Sequence, residues 1–359
     1  MKPRIAYLID HIYPDMVFDQ NCLIHNKDWL SKYYEIIFIV RTLKPTFVKK
    51  RANFTIHAFN YQEPYETLAN EISAFNPHII HIFGPICLGS AGRFVDQFHH
   101  QCAIVQQYAG NQPWYYGDPD IHYFIIDAVH LPAFQHIPVE KMILRNCCCD
   151  LDFFKPIPAE KEYDCIMAAG FYCTKGQDIV YEILKNDPLK IMFLGAQKSN
   201  MDEMTDDFRH MMRLINKDNK CQAVFQDYVA PDLVPFIYNK AKLFVWGSRV
   251  SIENPITITN RSVTEAVACG LPVVAFNETF KHSNFIINGA NAILVNSDQE
   301  FHDAVLRVLT DDDLRSRMSS ASRAIAMALL DFKQWHDSLL DNLYRKILNE
   351  RDVKCQISE

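Results

Sequence analysis

The chain has 359 residues, 49% hydrophobic and 22% charged, the balance of a soluble globular protein with ample core and more length than one domain usually takes. A formal net charge of −7 disfavours nucleic acid as the main partner. No apolar stretch approaches the roughly 20 residues that cross a bilayer, and Ile5–Ile9, flanked by Lys2 and Arg4 and closed by Asp10-His11, is too short for the apolar part of a signal peptide.

That run reads instead as a first strand, 4–9. Further strands are predicted near 35–40, 54–58, 78–83, 102–106, 122–126 and 142–145, with amphipathic helices such as 64–75 and 88–100 between them. This alternation is that of a doubly wound parallel sheet. Phe153 to Lys161 contains Pro156 and Pro158, carries charge and has no period, so it reads as an interdomain linker. A second alternation follows, with strands near 163–168, 190–194, 222–226, 242–246, 272–276 and 292–295, and a helical tail from about 298 to 349. The expected organisation is a Rossmann-like domain over 1–155, a second over 156–330 and a C-terminal helical segment over 331–359. In that segment Trp335, Leu339, Leu340, Leu343 and Tyr344 recur at helical spacing, as docking onto another surface requires. A cleft between the two halves is the expected place for a small ligand. Of eleven cysteines, Cys147, Cys148 and Cys149 are adjacent and the rest are scattered without a Cys-x2-Cys pair. Reduced thiols of a cytosolic protein are expected.

The most informative stretch runs from Thr264 to Ala275. Glu265 sits on a short helix that Gly270 ends and Pro272 keeps from resuming, and Val273-Val274-Ala275 is a strand of the kind covered on both faces. A carboxylate is thereby fixed near the carboxyl edge of a parallel sheet, where open α/β folds bind ligands, and it suits the hydroxyls of a ribose. Lys175 precedes Gly176 at the start of another helix, a place for an ammonium beside a nucleotide diphosphate. Thr259-Asn260-Arg261-Ser262 has N-cap chemistry and offers free amides at a helix start. Arg261 lies four residues before Glu265, on the same helical face.

These segments resemble, in order, those of the family 4 retaining glycosyltransferases, the group 1 glycosyl transferases of GT-B fold. Pro77-His78-Ile79-Ile80-His81-Ile82-Phe83-Gly84 is similar to the family's buried fourth strand. Glu140-Lys141-Met142-Ile143-Leu144 with Asp150-Leu151-Asp152-Phe153-Phe154-Lys155-Pro156 resembles its bridge between domains. Ala169 to Asp178 is similar to its glycine and Lys-Gly loop, Gln226-Asp227-Tyr228-Val229 to its h-x-G-x-V turn, and Leu243 to Ser248 to the strand ending in Pro-Ser. The resemblance covers nearly the whole chain and is most specific over 163–295.

The resemblance implies two Rossmann-like doubly wound parallel-sheet domains facing across a cleft, with the C-terminal helix crossing back to the first domain. It also implies transfer of a sugar, with retention and without a metal or other cofactor, from a UDP- or GDP-linked donor to a glycan, lipid-linked or small-molecule acceptor. The donor site would comprise Gly170, Lys175, Arg249, Asn260, Arg261, Ser262, Val263 and Glu265. Work on a lipid-linked acceptor would put this cytoplasmic protein at the inner membrane face, with Lys44, Lys49, Lys50 and Arg51 touching anionic lipid or merely facing solvent in a loop.

Several positions depart from the family pattern. Phe171 stands where the family has its phosphate-binding arginine, and Arg249 or Arg261 is the candidate replacement. Thr257 stands at the first family glutamate, and Glu253 is the candidate to fill that catalytic role. Ala109 stands at the active-site histidine, with His11 the substitute by position, unless it packs or faces water. Asp118, Asp120 and His122 form a polar cluster that would line an acceptor pocket or belong to an ordinary surface loop. These departures keep two alternatives open: a degenerate, non-catalytic binding protein, and an epimerase or sugar phosphorylase on the same fold.

Overall fold

The computed structural model describes residues 2–10, 30–42, 45–50, 54–60, 62–83, 88–107, 122–126, 134–144, 148–171, 175–195, 205–215, 218–227, 229–249, 261–280, 283–335 and 341–357. The chain divides into two compact units, Met1–Asn146 with Lys333–Glu359, and Cys147–Phe332.

The first unit begins with β1 (Arg4–Asp10), α1 (Leu30–Tyr33), β2 (Glu35–Thr42), β3 (Phe47–Lys50), β4 (Phe54–Asn60), α2 (Tyr65–Phe75), β5 (Ile79–Phe83), α3 (Leu88–Phe98), β6 (Ala103–Gln107), β7 (Tyr123–Ile126) and β8 (Met142–Leu144). They form one eight-stranded sheet in the order β3-β4-β2-β1-β5-β6-β7-β8. Neighbours pair in parallel except β3 and β4. Central β1 sets Ile5 opposite both Ile36 and Ile79. Interior parallel strands are covered on both faces, which is why Ile36 to Val40 is an unbroken apolar run with no residue more than 4% exposed. β3 was not expected. Its Lys49 and Lys50, read as part of a basic loop, stand exposed on an antiparallel edge strand, where lysines discourage pairing with another chain. Lys44 and Arg51 lie outside the described residues.

The second unit carries β9 (Tyr163–Ala168), α4 (Gln177–Leu184), β10 (Lys190–Leu194), α5 (Asp206–Leu214), β11 (Gln222–Gln226), α6 (Val234–Asn239), β12 (Ala241–Trp246), α7 (Arg261–Ala268), β13 (Val273–Phe276), α8 (Asn277–Phe280), β14 (Ala292–Val295), α9 (Asp298–Thr310) and α10 (Asp312–Leu329). Its six strands are all parallel, in the order β11-β10-β9-β12-β13-β14. The proline-containing stretch before β9 is strapped to this unit. Asn239 donates to the Lys155 carbonyl (2.9 Å) and accepts from the Ile157 amide (2.8 Å), while the Arg323 guanidinium donates to the carbonyls of Leu151 and Phe154.

The chain ends in α11 (Phe332–Trp335) and α12 (Asp341–Ile357), and α12 packs within the first unit as a returning helix should. Leu343, Tyr344 and Ile347 are buried there. The Tyr344 hydroxyl shares hydrogen bonds with Tyr7 (2.9 Å) and with His81 Nδ1, and Tyr34 donates to Asp341 (2.8 Å). Burial pushes His81 down to about 3, so its ring is neutral at physiological pH. Leu339 and Leu340 lie outside the described residues. Among the described residues no helix is long and apolar enough to cross a membrane.

Candidate functional site

In the second unit the chain runs outward from β9 through β10 and β11, then returns to β12 on the other side of β9. The carboxyl ends of β9 and β12 therefore mark the point where strand order reverses, the place open α/β sheets use for ligands. Three segments meet at that edge: Ala169-Gly170-Phe171 after β9, Gly247-Ser248-Arg249 after β12, and Lys175-Gly176 before α4. Gly176 adopts a left-handed backbone (φ 78°), and a Cβ there would lie 2.4 Å from the Gly247 carbonyl. A Cβ on Gly247 would lie 2.1 Å from the Gly176 oxygen, so this approach tolerates only a pair of glycines. Gln177 Nε2 then ties the start of α4 to the carbonyls of Ala169 (3.2 Å) and Gly170 (2.9 Å).

Lys175 is drawn into this edge. Its Nζ lies 5.8 Å from the ring centroid of Trp246, the last residue of β12. Loss of solvent holds its ammonium below the usual lysine range. Among the described residues it has neither a hydrogen-bond nor an ion-pair partner.

Glu265 stands on α7, whose residues from Val263 to Ala268 are all buried. The helix ends as its sequence predicts. Gly270 is left-handed (φ 78°), its N–H bonds the Val267 carbonyl (3.0 Å), and the Leu271 N–H bonds that of Ala266 (3.0 Å). Glu265 is 8% exposed and accepts a hydrogen bond from the Tyr238 hydroxyl (3.2 Å). Burial raises its carboxyl to about 7, opposed by the Arg261 charge one helical turn earlier and by the Tyr238 bond. Aromatic contacts link the two charged residues: Trp246 stacks on Phe244 (6.2 Å, 12°), and Phe244 meets Tyr238 at 6.2 Å.

The other predicted residues divide. Gly170 stands at the β9 edge, and Arg261, Ser262 and Val263 form the first turn of α7. Arg249 sends its guanidinium over the Phe276 ring (4.2 Å) and onto Asp298 at the start of α9. There it helps line a cavity of about 540 Å³ with Asp178, Glu182, His210, Asp298 and His302. Phe171 is 1% exposed and packs on Phe208 (4.9 Å) and Phe225 (5.9 Å), which explains an apolar residue at that position. His11, Glu253 and Asn260 lie outside the described residues, as do Ala109, Asp118, Asp120 and Thr257. His122 is buried. Among the described residues no group of His, Cys, Asp or Glu side chains is arranged to hold a metal ion. Trp246 and Tyr238 escaped the sequence reading. Trp246 immediately precedes Gly247-Ser248 in the motif strand, and that was the one local signal available.

Residues 150–325 match the family described as Glycosyl transferases group 1. YtcC of Bacillus subtilis (strain 168), a glycosyltransferase by name, is 23% identical over 188 residues, which cover 50% of this chain and only 44% of YtcC. Sucrose-phosphate synthase from Thermosynechococcus elongatus matches with a TM-score of 0.75 at 14% identity, over 97% of this chain and 100% of that one. Anabaena Alr3699/HepE, solved with UDP-glucose, matches with a TM-score of 0.73 at 16% identity, over 95% and 99%. These structural likenesses show the fold, the GT-B pairing of two Rossmann-like sheets. Residues 150–325, nearly the whole of the second unit, are thus those of a glycosyl transferases group 1 domain.

Proposed function

We propose that this chain transfers a sugar, with retention and without a metal, from a UDP-linked donor held by the second unit to a glycan or lipid-linked acceptor held by the first. The observation that carries the reading is Lys175, a largely desolvated ammonium without an anionic partner among the described residues, at the switch point of a parallel sheet. A diphosphate supplies the missing charge, and a fixed cation stabilises the same group as it departs. Glu265 then accepts from the ribose hydroxyls, and the first-turn amides of α7 take phosphate oxygens. UDP is favoured over GDP because Alr3699/HepE was solved with UDP and with UDP-glucose. The catalytic contributions of Glu253 and His11 remain part of the proposal. So does contact with anionic lipid at the inner membrane face, to which exposed Lys49 and Lys50 on β3 are suited.

One observation favours a second reading, a binding protein that does not turn over. The arginine expected after Gly170 is replaced by Phe171, and that side chain is sealed in an aromatic cluster. Incubating the full chain with UDP-glucose and following UDP release, with and without a panel of lipid-linked and free glycan acceptors, separates the two. Acceptor-dependent release is the expected result. Tight UDP binding with no release under any condition would establish the second reading, and no binding at all would remove both.

A further inference from the structure

The contact between Gly176 and Gly247 has a consequence for the residues just before them. Because the two backbones touch, Lys175 and Trp246 are brought into register across the β9–β12 edge. We propose that Trp246 is a positioning residue for the donor diphosphate, its indole face seating the Lys175 ammonium where the phosphates bind. This rests on the donor-binding role of Lys175 proposed above.

Four observations support it. The Nζ-to-centroid distance of 5.8 Å is within the roughly 6 Å over which a ring face attracts a cation, and tryptophan has the strongest face. No carboxylate among the described residues competes for Lys175, whose ammonium has lost much of its solvent. The indole is rigid: it is fully buried and stacked on Phe244. Finally, the Trp246 Nε1–H is buried with no acceptor among the described residues. A phenylalanine or leucine in this space would avoid that unmade bond, so space filling alone does not account for tryptophan. What it offers over leucine is its face.

The test uses the full chain and calorimetric titration with UDP and with uridine, which lacks phosphates. The W246L variant should bind UDP roughly five- to thirty-fold more weakly, the range of a desolvated cation–ring contact. Uridine affinity should not change, because a collapsed pocket would weaken both ligands while a misplaced ammonium weakens only UDP. W246L should also move the alkaline limb of UDP affinity to lower pH, since the ring stabilises the charged lysine. W246F, which keeps an aromatic face, should recover most of the loss. If W246L does not fold, fluorinated tryptophans placed at position 246 weaken the face without changing its shape, and UDP affinity should fall stepwise with fluorine content. Equal losses for UDP and uridine, or UDP affinity indifferent to leucine or fluorine, would overturn the inference. The K175A variant separates this failure from a failure of the donor-site reading. If K175A loses UDP while the Trp246 series does not, only the inference falls. If K175A binds UDP like the wild type, the role of Lys175 falls, and the inference falls with it.

Discussion

Glu265 gives the most demanding prediction, because its burial sets stability against its proposed role in ribose binding. Its carboxyl is raised from 4.5 to about 7 in the folded chain. Between those values the folded state holds a proton that the unfolded state has released, so stability falls as pH rises through the window and levels off above it. A shift of this size corresponds to about 3 kcal/mol in full, most of it between about pH 5 and pH 8. Replacing the carboxylate with its neutral isostere removes the penalty, and the amide oxygen can still accept from Tyr238. E265Q should therefore come within about 1 kcal/mol of the wild type near pH 5 and exceed it by about 3 kcal/mol near pH 8. The assay is denaturant unfolding of the second unit, followed by tryptophan fluorescence at the two pH values. The same variant should bind UDP roughly ten- to a hundred-fold more weakly, because hydroxyl bonds to a carboxylate exceed those to an amide. A wild type and an E265Q whose stabilities run parallel from pH 5 to pH 8 would refute the reasoning.

Three further outcomes follow from the geometry. G247A places a Cβ 2.1 Å from the Gly176 oxygen, so it should destabilise the second unit by about 1–3 kcal/mol and abolish UDP binding, measured by thermal unfolding and calorimetry. Y344F removes the hydroxyl shared by Tyr7 and His81, leaving buried polar atoms behind. It should cost the first unit about 1–3 kcal/mol in denaturant titration and leave UDP affinity unchanged. His302 is raised by its hydrogen bond to Asp303 and by Asp187, so its contribution is complete below the unfolded histidine value and is lost as pH rises through the folded one. The melting temperature of H302A should lag the wild type in mildly acidic buffer and converge with it at alkaline pH.

Most of the fold was legible because the parallel strands read as short apolar runs between amphipathic helices. The predicted limits 163–168, 190–194, 222–226 and 292–295 coincide with β9, β10, β11 and β14. β3 was not legible, since Phe47-Val48-Lys49-Lys50 has no alternation and becomes a strand only through pairing with β4. At the candidate site, Lys175 and Glu265 stood out because each adjoins a glycine-marked helix end. Their surroundings did not. The Lys175–Trp246 and Glu265–Tyr238 contacts depend on the register of β12 and the packing of α6 on α7, and Arg249 is engaged by Asp298 across 49 positions of sequence. Spacing along the chain carries no signal for such pairs.

The central claim is that the second unit grips a nucleotide diphosphate through Lys175. Its most direct test is calorimetric titration of the full chain with UDP, UDP-glucose and GDP, for the wild type and for K175A. The account predicts one saturable site per chain for the two uridine nucleotides, weaker binding of GDP, and a loss of roughly ten-fold or more in K175A. A folded wild-type chain that takes up none of the three, or a K175A variant that binds UDP as tightly as the wild type, would contradict it.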